Sequence, residues 1–177
     1  YGMGPVFRRE RPQKGRYRQF HQINFETLGT NDNLADVDLI LLADNILRSI
    51  LPDKKIKLHI NSLGNKNTLA TFKKNLNKYY ELNSKNLSED SQKKIYTNPL
   101  RILDSKNIDD KEANKVSPKI SDYFSQEENE NFSNIQNLLR ESKVEYHIDL
   151  NLVRGLDYYC HTVFEFKTDE LGAQDTL

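Results

Sequence analysis

Residues 7 to 22 read Phe7-Arg8-Arg9-Glu10-Arg11-Pro12-Gln13-Lys14-Gly15-Arg16-Tyr17-Arg18-Gln19-Phe20-His21-Gln22. The turn-rich piece from Pro12 to Arg16 separates two extended runs, 5 to 11 and 17 to 29, and this spacing predicts a β-hairpin with a long tip. On the second run a period of two puts Arg18, Phe20, Gln22, Asn24 and Glu26 on one face and Gln19, His21, Ile23 and Phe25 on the other. The first face is polar with one aromatic; the second is expected to be mostly a packing face. Arg8, Arg9, Arg11, Lys14, Arg16 and Arg18 surround a single acid, Glu10, and so dense a cationic stretch suits a polyanion. Arg8, Glu10, Phe20 and Gln22 together offer a cation, an acid, a flat ring and an amide, which suit a phosphate, an exocyclic amine, a base and an ammonium group.

Beyond the hairpin the hydrophobic period lengthens. Leu34, Val37, Leu41, Asp44, Leu47 and Leu51 mark one side of a helix over 33 to 51, ended by Pro52. Ile56, Leu58 and Ile60 alternate with polar residues and predict a strand that stops at Asn61-Ser62-Leu63-Gly64. From there to about residue 143 the chain is rich in Lys, Asn, Asp and Glu and reads as mainly helical. One stripe is Leu69, Phe72, Leu76, Tyr79 and Tyr80; another is Phe132, Ile135, Leu138 and Leu139, led by Ser125-Gln126-Glu127-Glu128, which fits a capping box. The polar stretch 104 to 117 gives no clear signal of order. Val144, Tyr146, Ile148 and Leu150 alternate, as do Thr162, Phe164 and Phe166, so the chain closes on two strands. Strands at both ends around a helical middle predict an α+β fold, an antiparallel sheet with flanking helices and a mainly helical insertion. The expected division is 1-64, core; 65-143, insertion; 144-177, core.

The chain has 177 residues, 26 Lys and Arg, 26 Asp and Glu, and a formal net charge of zero. Affinity for nucleic acid must therefore come from a local patch, which the hairpin supplies. Cys160 is the only cysteine, so an intrachain disulfide is excluded. No stretch has the length of a membrane span or the pattern of a signal peptide, and a cytoplasmic location is expected. Dense motif sequence begins within a few residues of Tyr1, the pattern expected of a piece of a longer protein.

A second motif lies near the other end: Leu152-Val153-Arg154-Gly155-Leu156-Asp157-Tyr158-Tyr159, followed by Thr162-Val163-Phe164-Glu165. Cys160 and His161 between them invite a nucleophile or metal reading. Adjacent strand residues point to opposite faces and no second ligand cluster accompanies them, so neither role, and no metal site, is expected. His21 and His147 read as packing or surface residues.

Phe-Arg-x-Glu at 7 to 10, the basic tip and the return strand Arg18 to Gln22 resemble motif 2 of class II aminoacyl-tRNA synthetases, in the form used by the histidyl-tRNA synthetase family. The run from Arg154 to Tyr159 resembles that family's histidine-specific motif. Asn61 to Gly64, Tyr96-Thr97-Asn98-Pro99-Leu100-Arg101 and Leu171-Gly172-Ala173-Gln174 resemble family segments in the same order. Cys160 and His161 depart from the family pattern. The family's motif 1, motif 3, upstream Glu and Thr segment, downstream Gly-Gly-Arg-Tyr-Asp motif and anticodon-binding domain have no counterpart here.

The resemblance implies an ATP-dependent histidine–tRNA ligase, of which this chain is a core fragment, inactive alone. It implies Arg8 and Arg154 as catalytic cations on the α-phosphate and histidine carboxylate, and Glu10 and Phe20 as adenine contacts. Gln22, Glu26, Tyr158 and Tyr159 become histidine contacts, and Gln13, Lys14, Arg16 and Arg18 contacts to the tRNA acceptor end. ATP with Mg2+ is implied as substrate, without a prosthetic group; histidine tRNA and L-histidine are implied as ligands, and a homodimer for the full-length protein. The competing reading is a synthetase-like regulatory subunit of histidine biosynthesis. Such paralogues usually lack the long insertion and the intact arginine-tyrosine motif.

Overall fold

The structure is a computed structural model that describes residues 1–9, 11–12, 16–154 and 159–170. The expectations placed on Glu10, Gln13, Lys14 and Tyr158 lie outside the described residues. Strands β1 (Gly2–Phe7) and β2 (Gln19–Asn24) form an antiparallel two-stranded sheet with Gly2 opposite Asn24 and Phe7 opposite Gln19. The predicted hairpin is present. Its predicted packing face is not covered: Ile23 is 44% and Phe25 37% exposed, while Phe20 is half-buried. Among the described residues β1 and β2 pair only with each other.

Helix α1 (Asn33–Ile50) follows, capped by Asp32, whose carboxylate accepts the Leu34 N–H at 2.9 Å. Its buried residues are Val37, Ile40 and Asp44, and Leu34 in the first turn is exposed, so the buried stripe is shorter than the leucine spacing suggests. Strand β3 (Lys57–Ser62) runs two residues further than predicted and is the middle strand of a three-stranded sheet, between β4 (Tyr146–Ile148) and β5 (Thr162–Lys167). On β5 the buried residues are Val163 and Phe166, not the alternating Thr162, Phe164 and Phe166. Val163 and Phe166 lie on opposite strand faces, so both faces of β5 are covered.

Between β3 and β4 the chain is helical, as expected: α2 (Lys66–Leu82), α3 (Glu89–Gln92), α4 (Leu100–Leu103), α5 (Ile108–Lys115) and α6 (Gln126–Glu141), with short 3-10 turns at Ser84–Asn86 and Ile120–Tyr123. The stripe Leu69, Phe72, Leu76 and Tyr80 is buried as its spacing requires, and it joins Leu87, Ile95, Leu100, Ile102 and Ile120 in one cluster. Stretch 104 to 117, unreadable from its composition, is ordered by polar contacts. Asn107 caps α5 through the Asp109 and Asp110 N–H groups. Fully buried Asp110 accepts from the Ser88 N–H and from the hydroxyls of Ser88, Ser91 and Ser105 at 2.9, 2.8, 2.6 and 2.5 Å. Burial opposes its charge, but the hydrogen bonds from these serines hold its carboxyl below the usual aspartate range.

The chain divides into two compact units: Tyr1–Leu58 with Ile135–Tyr146 and Glu165–Leu177, and His59–Asn134 with His147–Phe164. The first buries Val37, Ile40, Ile56, Leu58, Ile135, Leu139 and Phe166. The helical cluster belongs to the second.

Candidate active site

In the first unit the described site candidates lie on and beside the hairpin. Strand pairing continues one step past β1, with the Arg8 N–H donating to the Arg18 carbonyl at 2.9 Å. The Arg8 side chain folds back along the hairpin: Nε donates to the Tyr17 carbonyl at 2.8 Å, and the guanidinium carbon sits 4.2 Å from the centre of the Phe20 ring. A cation–π contact that solvent can reach is worth about 0.5 to 1 kcal/mol, enough to bias a rotamer but not to lock it. Arg8 and Phe20 therefore share one spot, as their alternation with Glu10 and Gln22 suggested. Gln22 donates to the Asn24 carboxamide oxygen on the same strand face. Glu26 lies exposed beyond the end of β2, Arg18 is exposed, and Arg16 is half-buried.

In the second unit Arg154 is partly buried and donates through Nη2 to the Phe164 carbonyl of β5 at 2.9 Å. Tyr159 is exposed. Cys160 and His161 are not in a strand. They precede β5, and His161 has φ 58, the left-handed region that a histidine adopts only where its surroundings hold it there. Two backbone bonds hold it: the Leu63 N–H donates to the His161 carbonyl, and the His161 N–H to the Gly64 carbonyl, each at 2.7 Å.

The segment leading into Arg154 is fixed with equal care. Asn61 donates to the Leu152 carbonyl at 3.0 Å, and His59 Nδ1 lies 3.2 Å from Asp149. Lys119 Nζ, from the helical stretch, donates to the Asn114 carbonyl at 2.6 Å and to the Asn151 side chain at 3.0 Å. Burial lowers the Lys119 pKa, against the pull of Asp122 and Asp149. Lys119 escaped the sequence reading, and Asn61 reads there only as part of a turn and of a family-like segment. The bond that ties Lys119 to this segment has no local signal, because Asn151 is 32 residues away. The predicted capping box is real: Ser125 Oγ accepts the Glu128 N–H at 3.2 Å and Glu128 Oε2 accepts the Ser125 N–H at 2.8 Å. The same carboxylate also takes the Asn65 N–H at 2.6 Å and the Thr68 hydroxyl at 3.0 Å, which the box alone does not foretell.

A basic antiparallel hairpin preceding a mixed α+β core belongs here to a class II aminoacyl-tRNA ligase fold. The crystal structure of apo S. aureus histidyl-tRNA synthetase matches with a TM-score of 0.67 and 30% identity, over 93% of this chain and 37% of that one. A family profile described as Histidyl-tRNA synthetase matches residues 1–174, and the chain belongs to that family. A histidine–tRNA ligase of Wolbachia pipientis subsp. Culex pipiens (strain wPip) is 51% identical over all 177 residues, and one of Ehrlichia ruminantium (strain Gardel) is 48% identical over the same length. The chain spans 44% and 43% of those relatives, less than half the length of either.

Proposed function

We propose that the chain is the middle of the catalytic part of a histidine–tRNA ligase, acting within a longer, dimeric, cytoplasmic protein. The observation that carries this reading is the family match over residues 1–174, which takes in both Arg8 and Arg154. Residues 1-64 and 144-177 would then be core and 65-143 the insertion.

The reaction runs in two steps. A histidine carboxylate oxygen bonds to the α-phosphorus of ATP while the bond to the bridging oxygen of pyrophosphate breaks. A ribose hydroxyl of histidine tRNA then bonds to the acyl carbon, the acyl–oxygen bond to the phosphate breaks, and AMP leaves as the hydroxyl gives up its proton. Negative charge builds on the α-phosphate in the first step, so fixed cations lower the barrier there. Arg8 and Arg154 would supply them. Phe20 would offer its flat ring to adenine, supported by the position of the Arg8 cation beside that ring, and Glu10 would accept from the exocyclic amine. Glu26 and Tyr159 would satisfy the two imidazole nitrogens, Gln22 the rest of the amino acid, and Tyr158 the pocket wall; a site that demands both nitrogen partners rejects side chains lacking them. Gln13, Lys14, Arg16 and Arg18 would reach the tRNA acceptor end, mostly at phosphates. Mg2+ would enter with ATP as part of the substrate.

The test is Arg154→Ala and Arg154→Lys in the full-length protein. Removal should slow adenylate formation about a hundredfold to a thousandfold while changing ground-state ATP and histidine binding much less. Lysine should restore little, because a point charge lacks the planar fork. A chemical step within a few-fold of the parent in Arg154→Ala overturns the assignment.

A further inference from the structure

We infer that Glu128, a residue of the helical stretch, is a positioning residue for the turn that leads from Tyr159 into β5. The inference rests on the proposed function for its kinetic part and on the second unit's own geometry for the rest.

Glu128 is 6% exposed and accepts at both carboxylate oxygens: Oε1 from Asn65 N–H, Oε2 from Ser125 N–H and Thr68 Oγ1. A capping box needs only the Ser125 bond. The Asn65 and Thr68 bonds tie the start of α6 to the start of α2, where Asn65 is itself the cap of α2. Immediately before Asn65 stands Gly64, at φ +60. A Cβ built on Gly64 would fall 2.6 Å from Glu128 Oε1 and 2.7 Å from the Thr68 methyl. The carboxylate thus lies against the Gly64 backbone with no room for a side chain between them, and only glycine meets both the dihedral and the space.

That same Gly64 backbone, with Leu63, makes the two 2.7 Å bonds that hold His161 in its left-handed conformation. A strained dihedral persists only when the surroundings over-determine it. Here the surroundings are one peptide turn, and the turn is backed by Glu128. Tyr159 stands two residues before His161, so a shift of the Leu63–Gly64 turn reaches it directly. The segment leading into Arg154 is tied to the same helical stretch through Lys119 and Asn151. Glu128 therefore acts through Gly64 and His161 on where Tyr159 stands, and on the histidine site before the ATP site.

Two measurements test this independently. In the 177-residue chain, Glu128→Gln keeps one accepting oxygen and loses the other, and should raise the amide hydrogen-exchange rates of Leu63 and His161 roughly tenfold, the scale of one lost charge-assisted bond. Thr68→Val, a milder change that keeps the carboxylate, should move the same two amides in the same direction by about threefold. Asp32→Ala, which removes the cap of α1, controls for general loss of stability and should leave them unchanged. In the full-length ligase Glu128→Gln should raise KM for histidine several-fold with KM for ATP unchanged. Unchanged exchange at both amides in Glu128→Gln and Thr68→Val, an equal response to Asp32→Ala, or KM values for ATP and histidine rising together each overturns the positioning role. A parent protein without histidine-dependent pyrophosphate exchange overturns the proposed function instead, and the amide exchange alone then decides the anchor.

Discussion

The hairpin and the helical stretch differ in how they are held. In β1 and β2 no described residue is buried, and Arg8 rests on one carbonyl and one ring. Between Lys66 and Tyr123 the chain looks more polar, yet Phe72, Leu76, Tyr80, Ile102 and Ile120 are completely enclosed, and the buried Ser91, Asp110, Asn114 and Ser117 are hydrogen-bonded within the stretch. Tyr80 donates to Asn114 at 2.7 Å, and Asn114 donates to the Ile102 carbonyl at 2.7 Å. The residues assigned to substrate on the hairpin lie where rearrangement costs little, and the residues that fix backbone lie where it costs much. A side chain that must exchange a resting partner for a ligand belongs on the first kind of support; one that must keep a loop in a strained conformation needs the second.

The comparison breaks most visibly at Asp110. Asp110→Ala should destabilise the second unit by about 3 kcal/mol, because several serine donors lose a charged, fully buried acceptor at once. Urea unfolding followed by far-ultraviolet circular dichroism reads it, and a loss under about 1 kcal/mol would mean that the serine cluster is a consequence of the packing rather than a support for it. Gly64→Ala should follow at about 2 kcal/mol, from a left-handed dihedral combined with a clash against Glu128 and Thr68.

The pH dependence sharpens the same contrast. Folding lowers the carboxyl pKa of both Asp110 and Glu128, in each case because hydrogen bonds outweigh burial. A carboxyl with a depressed folded value contributes stability above its unfolded pKa, about 4, and loses it as pH falls through the folded value. The second unit should therefore weaken steeply on acidification below about pH 4. Asp110→Asn should be less stable at neutral pH and show a flatter acid limb, measured by thermal unfolding between neutral and acidic buffers.

What was legible in the sequence follows the range of the interaction. The hairpin, the end of α1 before Pro52, the α2 stripe and the Ser125 to Glu128 box are each written within a few residues, and each is present. Asp110 is not legible, since its serines stand 22, 19 and 5 residues away and nothing in a polar stretch announces which carboxylate will be enclosed. The bare face of β2 was misread because alternation tells which residues share a face, not whether anything covers it. His161 was misread for a related reason: a backbone held left-handed by two distant carbonyl and amide groups leaves no trace in side-chain order. Arg8 and Phe20 could be paired in advance by alternation, but the hold of Tyr17 on Arg8 could not.

The smallest expected effect on folding is the one that most tests the contrast. Arg8→Ala removes a cation–π contact and one bond to an exposed carbonyl, so it should cost no more than about 1 kcal/mol of stability. Phe20→Ala, on a strand with no buried residue, should cost a similar amount, below the usual loss for a core aromatic of about 3 to 5 kcal/mol. If ligand chemistry is why these residues sit together, both variants should nevertheless abolish most histidine activation in the full-length protein, Arg8→Ala through the chemical step and Phe20→Ala through ATP binding. Unfolding of the variant chains and pre-steady-state adenylate formation separate the two quantities. A stability loss near that of Asp110→Ala would show that the hairpin is a structural element after all. A small loss of stability with full activity would remove Arg8 and Phe20 from the site while leaving the fold as described. Only the combination of near-parental stability and lost activity fits a side chain kept loosely in place so that a nucleotide can claim it.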